Sequence, residues 1–293
     1  MKSPGKLANR FRITNGKKFR VKDFDPCDTR GVKSKEHAAK ALEECSARLS
    51  ELQDRLYAQD NWSLLLIFQA MDAAGKDGTI KHVMSGVNPQ GCEVYSFKAP
   101  TSAELDHDFL WRTSRCLPER GRIGIFNRSY YEETLVVRVH PQFLSAQKIP
   151  PPLITKHIWD ERFEDIAAFE RYISRNGIVV RKFFLNVSPA EQKRRFLSRL
   201  DEPAKNWKFS AADINERQRW SDYMEAYEDV IRRTSAPHAP WYVIPADHKW
   251  FTRLAVSAAI IDTLESLDLH YPIVSDSTRK ELAAARKKLM SQK

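Results

Sequence analysis

No stretch of this chain approaches the roughly 18 uninterrupted apolar residues that a membrane span needs. The basic N-terminus has no apolar run behind it, so no secretory leader is expected either. The expectation is a soluble, cytoplasmic protein with no membrane partner. Cysteine is scarce: Cys27, Cys45, Cys92 and Cys116 form no C-x-x-C pair and keep no regular spacing, which argues against a disulfide framework or a zinc site. The eight histidines, among them His82, His107, His140 and His157, supply no close ligand pair, which disfavours metal-hydrolase chemistry. Internal repeats and low-complexity blocks are absent. Acid is missing from the first 22 residues, which hold eight cations: Lys2, Lys6, Arg10, Arg12, Lys17, Lys18, Arg20 and Lys22. That run reads as a solvated, mobile tail.

Across the chain 48 Lys and Arg stand against 38 Asp and Glu, a net charge of +10 that favours an anionic partner. Nucleic acid, nucleotides and inorganic polyphosphate all qualify on charge alone. At 293 residues the chain is long enough for one large α/β domain. The expected layout is a basic extension over 1–30, a single domain over 31–270 with a lid at about 188–233, and a charged, helical, dispensable tail over 271–293.

Ala38, Leu42, Cys45, Leu49, Leu52 and Leu56 recur at helical spacing and mark one apolar stripe. That stripe would pack on the sheet of its own chain or on the same helix of another subunit. Strands are expected at 63–68, 92–97, 122–126, 178–185 and 241–244. Helices are expected at 103–116 and 154–174, with an amphipathic one running to about 267. A stripe of Trp220, Tyr223, Met224, Tyr227 and Ile231 reads as core packing. Strands alternating with helices predict a doubly wound, mostly parallel sheet flanked by helices.

The run Ser63-Leu64-Leu65-Leu66-Ile67-Phe68 leads into Gln69-Ala70-Met71-Asp72-Ala73-Ala74-Gly75-Lys76-Asp77-Gly78-Thr79. A buried strand followed by small residues at a helix start makes a phosphate site, with Lys76 as its fixed positive charge. The common pattern G-x-x-x-x-G-K-[ST] is met imperfectly: Ala70 stands for the first glycine and Asp77 for the magnesium-binding hydroxyl. Asp72, inside the loop, would be repelled by a polyphosphate unless a cation stood between them, which makes magnesium the natural mediator, with manganese a possible substitute. A second polar strand end, Asn127-Arg128-Ser129-Tyr130-Tyr131-Glu132-Glu133, belongs on the ligand side of such a sheet. Glu132 and Glu133 would join a metal shell or partner a helix N-terminus. Beyond Asn186 the cations Lys193, Arg194, Arg195, Arg199, Lys205 and Lys208 read as a basic lid. Phosphoryl transfer, which rests on positioning and charge neutralisation, suits this set.

Four segments in order, Asp72 to Thr79, Ser85 to Gly91, Phe126 to Tyr131 and Trp241 to Trp250, resemble the polyphosphate kinase 2 family over roughly residues 20–270. The resemblance implies a P-loop kinase fold like that of thymidylate kinases, with a helical lid. It also implies magnesium-dependent phosphoryl transfer between inorganic polyphosphate and adenine or guanine nucleotides. By position, Asp72 would hold magnesium or orient the acceptor, with Asn127 and Glu132 completing the metal set. Lys76 with Ala73, Ala74, Gly75, Asp77, Gly78 and Thr79 would cradle phosphates. Arg128 would clamp the transferred group. Lys81, Arg112 and Arg115 are further nucleotide-binding candidates, and Arg181, Arg194, Arg195, Arg199 and Lys208 would line a polyphosphate channel. Asn127, where many relatives carry Asp, points to the subgroup accepting AMP as well as ADP; alternatively it caps the helix beginning near Arg128. A homodimer or homotetramer is expected. An ATP-dependent nucleoside monophosphate kinase and a non-catalytic polyanion or nucleic-acid binder are the rival readings. The basic residues gather around a phosphate loop and are not interleaved with aromatics, which speaks against nucleic acid.

Overall fold

The computed structural model describes residues 4–32 and 34–292; Lys2, one of the eight N-terminal cations, lies outside them. In chain order the elements are α1 (Pro4–Ala8), β1 (Arg12–Ile13), α2 (Lys35–Gln59), β2 (Ser63–Ala70), α3 (Lys76–Val83) and β3 (Cys92–Ser96). Next come α4 (Ser102–Leu105), α5 (Trp111–Ser114), β4 (Ile123–Asn127), α6 (Val136–Val139), α7 (Ile158–Arg175) and β5 (Ile178–Asn186). The chain ends with α8 (Pro189–Asp201), α9 (Ala212–Gln218), α10 (Trp220–Thr234), β6 (Trp241–Pro245), α11 (Lys249–Glu265) and α12 (Asp276–Ser291).

The six strands form one sheet in the order β1-β6-β5-β2-β4-β3, parallel except for β1. β2 sits at the centre because it is apolar on both faces: Leu64, Leu65, Leu66 and Ile67 are all fully buried. Each such side chain contributes about 1.5–3 kcal/mol by leaving water. From β2 the chain crosses to the far edge at β3 and returns through β4, so β4 lies between them. The carboxyl ends of the adjacent β2 and β4, in register at Phe68 opposite Asn127, therefore open on one crevice.

The apolar stripe of α2 buries Ala38, Cys45, Leu49, Leu52 and Leu56, but its partner is α11 and not the sheet. α11 in turn is buried around most of its circumference, from Phe251 to Leu264, because α2 and α1 cover its outer side. It is not the amphipathic helix that the sequence predicted. The single helix expected over 103–116 is two short ones. α4 closes at Asp106, and Asp108 then takes the N–H of Leu110 (2.9 Å) in a turn of its own ahead of α5.

Instead of forming a solvated tail, the described residues of the basic N-terminus are woven into the body. Ala8, Phe11 and Phe19 are buried, and β1 pairs antiparallel with β6, Arg12 opposite Tyr242. Val21 donates to Glu228 (2.8 Å), and Arg232 donates to the Phe19 carbonyl (2.8 Å). Gly16 passes so close to α10 that a Cβ there would lie 2.4 Å from the Ile231 oxygen. α12, by contrast, is exposed throughout. Within 188–233, α8 and α10 pack on the body while residues 201–213 are almost all exposed. Among the described residues no helix is long and apolar enough to cross a membrane.

Candidate active site

The loop between β2 and α3 is shaped by two left-handed residues, Ala73 (φ 60°) and Gly75 (φ 100°). They turn the carbonyls of Ala73 and Ala74 down onto Arg195, which donates to both (3.1 and 2.6 Å). Because a trans peptide points its N–H opposite to its C=O, the Gly75 N–H faces the other way. There it joins the first amides of α3, which have no carbonyl partner within the helix. The loop thus presents donors on its upper side and is held by carbonyls on its lower side.

Lys76 opens α3 half-buried. Burial, and then the Arg128 guanidinium, hold its pKa below the usual lysine value. Arg128 follows the end of β4 in a left-handed conformation (φ 64°), its N–H bonded to the Phe68 carbonyl across the strands (3.0 Å). An arginine held in that region, which a side chain rarely adopts, marks a constrained position. Its guanidinium donates to Asp72 (3.3 Å) and lies 3.9 Å from Glu132. Glu132 and then Asp72 raise its pKa further. Asp72, Lys76, Arg128 and Glu132 therefore meet above the loop.

Other predicted residues are placed differently. Asn127 donates to Asp77 (2.8 Å), tying β4 to α3; the helical turn after Arg128 is capped by Ser129, whose hydroxyl accepts from the Tyr131 N–H. Asn127 is therefore not that cap, because it stands two residues ahead of Ser129. The Thr79 hydroxyl is buried and donates back to the Gly75 carbonyl (3.0 Å), so it does not face the loop's mouth. Arg181 is not brought to the site: it is buried on the α11 side of the sheet, bonded to Thr263 (2.9 Å) and the Val180 carbonyl. Arg195 is not in a channel either. Its guanidinium is enclosed, donating to Ala73, Ala74, Ala246, Asp247 and Glu191. Arg115 lies exposed over the Trp111 ring and Lys81 is exposed on α3. Arg194 is exposed beside Glu191, Lys208 is exposed over Trp207, and Arg199 lies 3.9 Å from Asp213. The segment Ser85 to Gly91 docks against α2: the Asn88 N–H donates to Gln53 (3.2 Å), and Gly86 leaves space for Ser46.

Several contributors were not legible in the sequence. Gln69, fully buried, donates to Glu132 (2.9 Å) and fixes that carboxylate beside Arg128. Gln192 of α8 donates to the Asp72 carbonyl (2.9 Å). Asp213 of α9 has its pKa raised by burial and then by Asp72, so a carboxylate of the exposed arm feels the one in the loop. Behind the site Lys182 and Glu170 form a fully buried ion pair (2.5 Å), with the hydroxyls of Tyr130 and Tyr131 on Glu170 (2.9 and 2.7 Å). That cluster anchors the turn carrying Arg128. Single amides such as Gln69 and Gln192 carry no motif, and although Tyr130 and Tyr131 belong to a segment marked in the sequence, only the three-dimensional arrangement shows them closing on Glu170.

Beside Arg128 and Glu132 a cavity of about 350 Å³ opens between α4–α5 and the segment after β4. Its walls are mostly apolar, among them Leu105, Phe109, Val136, Val137 and Phe143. Arg112 borders it, steadied by the Lys98 carbonyl (2.8 Å). A cavity of this size and lining suits a small organic ligand such as a nucleoside.

Residues 32–271 match the family model described as Polyphosphate kinase 2 (PPK2). An ADP-polyphosphate phosphotransferase of Rhodopseudomonas palustris is 52% identical over 97% of this chain and 98% of that protein. An AMP/ADP-polyphosphate phosphotransferase of Meiothermus ruber is 43% identical over 92% of this chain and 98% of that protein. The crystal structure of polyphosphate kinase 2 from Arthrobacter aurescens TC1 superposes with a TM-score of 0.88 at 38% identity, covering 98% of this chain and 97% of that one. With a phosphate loop and a second cationic strand end on one crevice of the same fold, the chain belongs to the polyphosphate kinase 2 family.

Proposed function

We propose that this protein transfers the terminal phosphoryl group of inorganic polyphosphate to ADP, and secondarily to AMP, in the cytoplasm. The observation that carries this reading is the place of Arg128, which touches Asp72 of the phosphate loop and also borders the apolar cavity. Polyphosphate lies along the loop and the exposed arm, and the nucleoside fills the cavity. An oxygen of the nucleotide's last phosphate attacks the end phosphorus of the polymer, the P–O–P bond breaks, and the polymer leaves one unit shorter. Reversal is the same path run backwards. Lys76 and Arg128 neutralise the charge that spreads over the transferred oxygens.

Among the described residues no group of three or more His, Cys, Asp or Glu is placed to hold a metal. Magnesium nonetheless fits the donors present, because it keeps its own waters and asks the protein for only one or two carboxylates besides phosphate oxygens. Asp72 is the carboxylate for it, with Glu132 close by, and the ion would neutralise phosphate charge there.

ADP is placed first because the relative 52% identical carries that activity in its name, and AMP second because the one 43% identical carries both. Asn127 is consistent with AMP, as its amide bonds Asp77 where an aspartate would face a second carboxylate. The test is to supply magnesium and long-chain polyphosphate with ADP or AMP and to separate the nucleotides by anion exchange. ATP formed from ADP supports the reading, and ADP formed from AMP supports the second acceptor. Phosphorylation of AMP by ATP alone, with none by polyphosphate, would hand the case to the nucleoside monophosphate kinase.

A further inference from the structure

Glu133 and Gln147 are among the polar groups that line the apolar cavity. Glu133 is buried, 6% exposed, and burial raises its pKa against the pull of Arg162, whose guanidinium lies 3.2 Å from its Oε1. Arg162 is itself stacked over the Phe109 ring, a wall of the same cavity. Gln147, half-buried at the cavity's edge, donates from Nε2 to Glu133 Oε2 (2.7 Å). Glu133 Oε1 is sealed from water and accepts no hydrogen bond, with Arg162 beside it as an ion-pair partner. None of these groups reaches the phosphate loop, so the transfer chemistry leaves them without a task.

A glutamine amide presents an acceptor on one side and donors on the other, and turning it over exchanges them. Here an amide N–H must point at Glu133, which fixes the turn. We infer that Gln147, held in one orientation by Glu133, reads the edge of the acceptor base and selects adenine over guanine. Adenine offers an amino donor next to a ring acceptor, which an amide meets with its oxygen and its remaining N–H. Guanine offers the opposite order, an oxygen acceptor next to a ring N–H, and would be matched only if the amide turned over. Turning it would set the glutamine oxygen against the Glu133 carboxylate. Glu133 is thus a positioning residue, and Gln147 is the group that meets the base. The inference rests on the proposed placement of the nucleoside in this cavity.

The experiment is the ratio of kcat/KM for ADP to that for GDP, with magnesium and polyphosphate, in the unaltered protein, Q147A and E133Q. Taking the ratio within one preparation removes any unfolded fraction, and the isosteric E133Q change keeps the cavity's shape. The unaltered protein should prefer ADP by on the order of tenfold, the worth of one paired amide contact. Q147A should lower kcat/KM for ADP and leave that for GDP nearly unchanged. E133Q, which lets the amide turn, should raise GDP relative to ADP. A ratio that is the same in all three overturns the inference and leaves the acceptor reading standing. If the unaltered protein phosphorylates neither nucleotide from polyphosphate, the acceptor reading itself falls, and the inference with it.

Discussion

Lys76 and Arg128 stand half-buried above the phosphate loop, whereas Arg195, Arg181 and Lys182 lie beneath or behind it with their donors spent on protein oxygens. The two groups are the same residue types. What separates them is the company they keep. A cation ringed by carbonyls, like Arg195, has become part of the frame, whereas Arg128 stands beside a carboxylate at a cavity mouth, where the proposed substrates would meet it. Clusters of Lys and Arg therefore announce a phosphate enzyme but do not say which members touch phosphate.

The sharpest test of this division is to remove a cation from the upper set. Lys76→Ala or Arg128→Ala should lower kcat by about a hundredfold or more, as the loss of preorganised charge at a transferring group does. Thermal melting should stay within a few degrees. Either variant retaining full turnover would remove it from the site. Next in size comes the buried pair. Lys182→Met leaves Glu170 charged and unpaired at zero exposure, and urea unfolding should show a loss of about 3–5 kcal/mol. Activity per folded molecule should change far less.

Arg195→Lys tests whether the frame reaches the site. A lysine cannot bridge the loop carbonyls of Ala73 and Ala74 to Ala246 and Asp247, so the loop should loosen. The expected result is a loss of roughly 1–3 kcal/mol in stability, together with a higher KM for polyphosphate. Stability loss with unchanged KM would confine Arg195 to packing.

The lowered pKa of Lys76 gives a pH signature. Its charged form is disfavoured by burial and Arg128, so turnover should fall on the alkaline side earlier than an ordinary lysine would allow. Bound polyphosphate favours the charged form and raises the pKa again. Binding at alkaline pH should then take up protons, measurable by calorimetry in buffers of different ionisation enthalpy, and Lys76→Met should abolish that uptake. The smallest effect belongs to Lys208, exposed on the arm. Lys208→Ala should weaken polyphosphate binding by about twofold to fivefold at low salt, and by less as salt rises.

Much of the architecture was open to reading from residue order. The runs at Leu64–Ile67 and Trp241–Ile244 announce central strands because both faces are apolar, and the loop from Asp72 to Thr79 announces phosphate through its small residues and lysine. Arg195 was misplaced because its partners are backbone carbonyls, which every residue has and no pattern marks. The N-terminus reads as a tail because its cations are conspicuous, while Phe11 and Phe19, which anchor it, stand too far apart to form a period. The helix over 103–116 breaks between Leu105 and Trp111, where Asp108 holds the Leu110 N–H in a local turn that the spacing of apolar residues does not record. α11 looked one-sided because nothing local records that α2 covers its other face.

The antiparallel pairing of Arg12 and Ile13 with Tyr242 and Trp241 also sets an order of events. Among the described residues β6 is the only strand partner of β1, and it is synthesised long after it. β1 must therefore wait for β6. Until then the edge of β5 next to β6 stays open and the buried side of the N-terminal segment stays wet, so this side of the sheet closes only once β6 has been made.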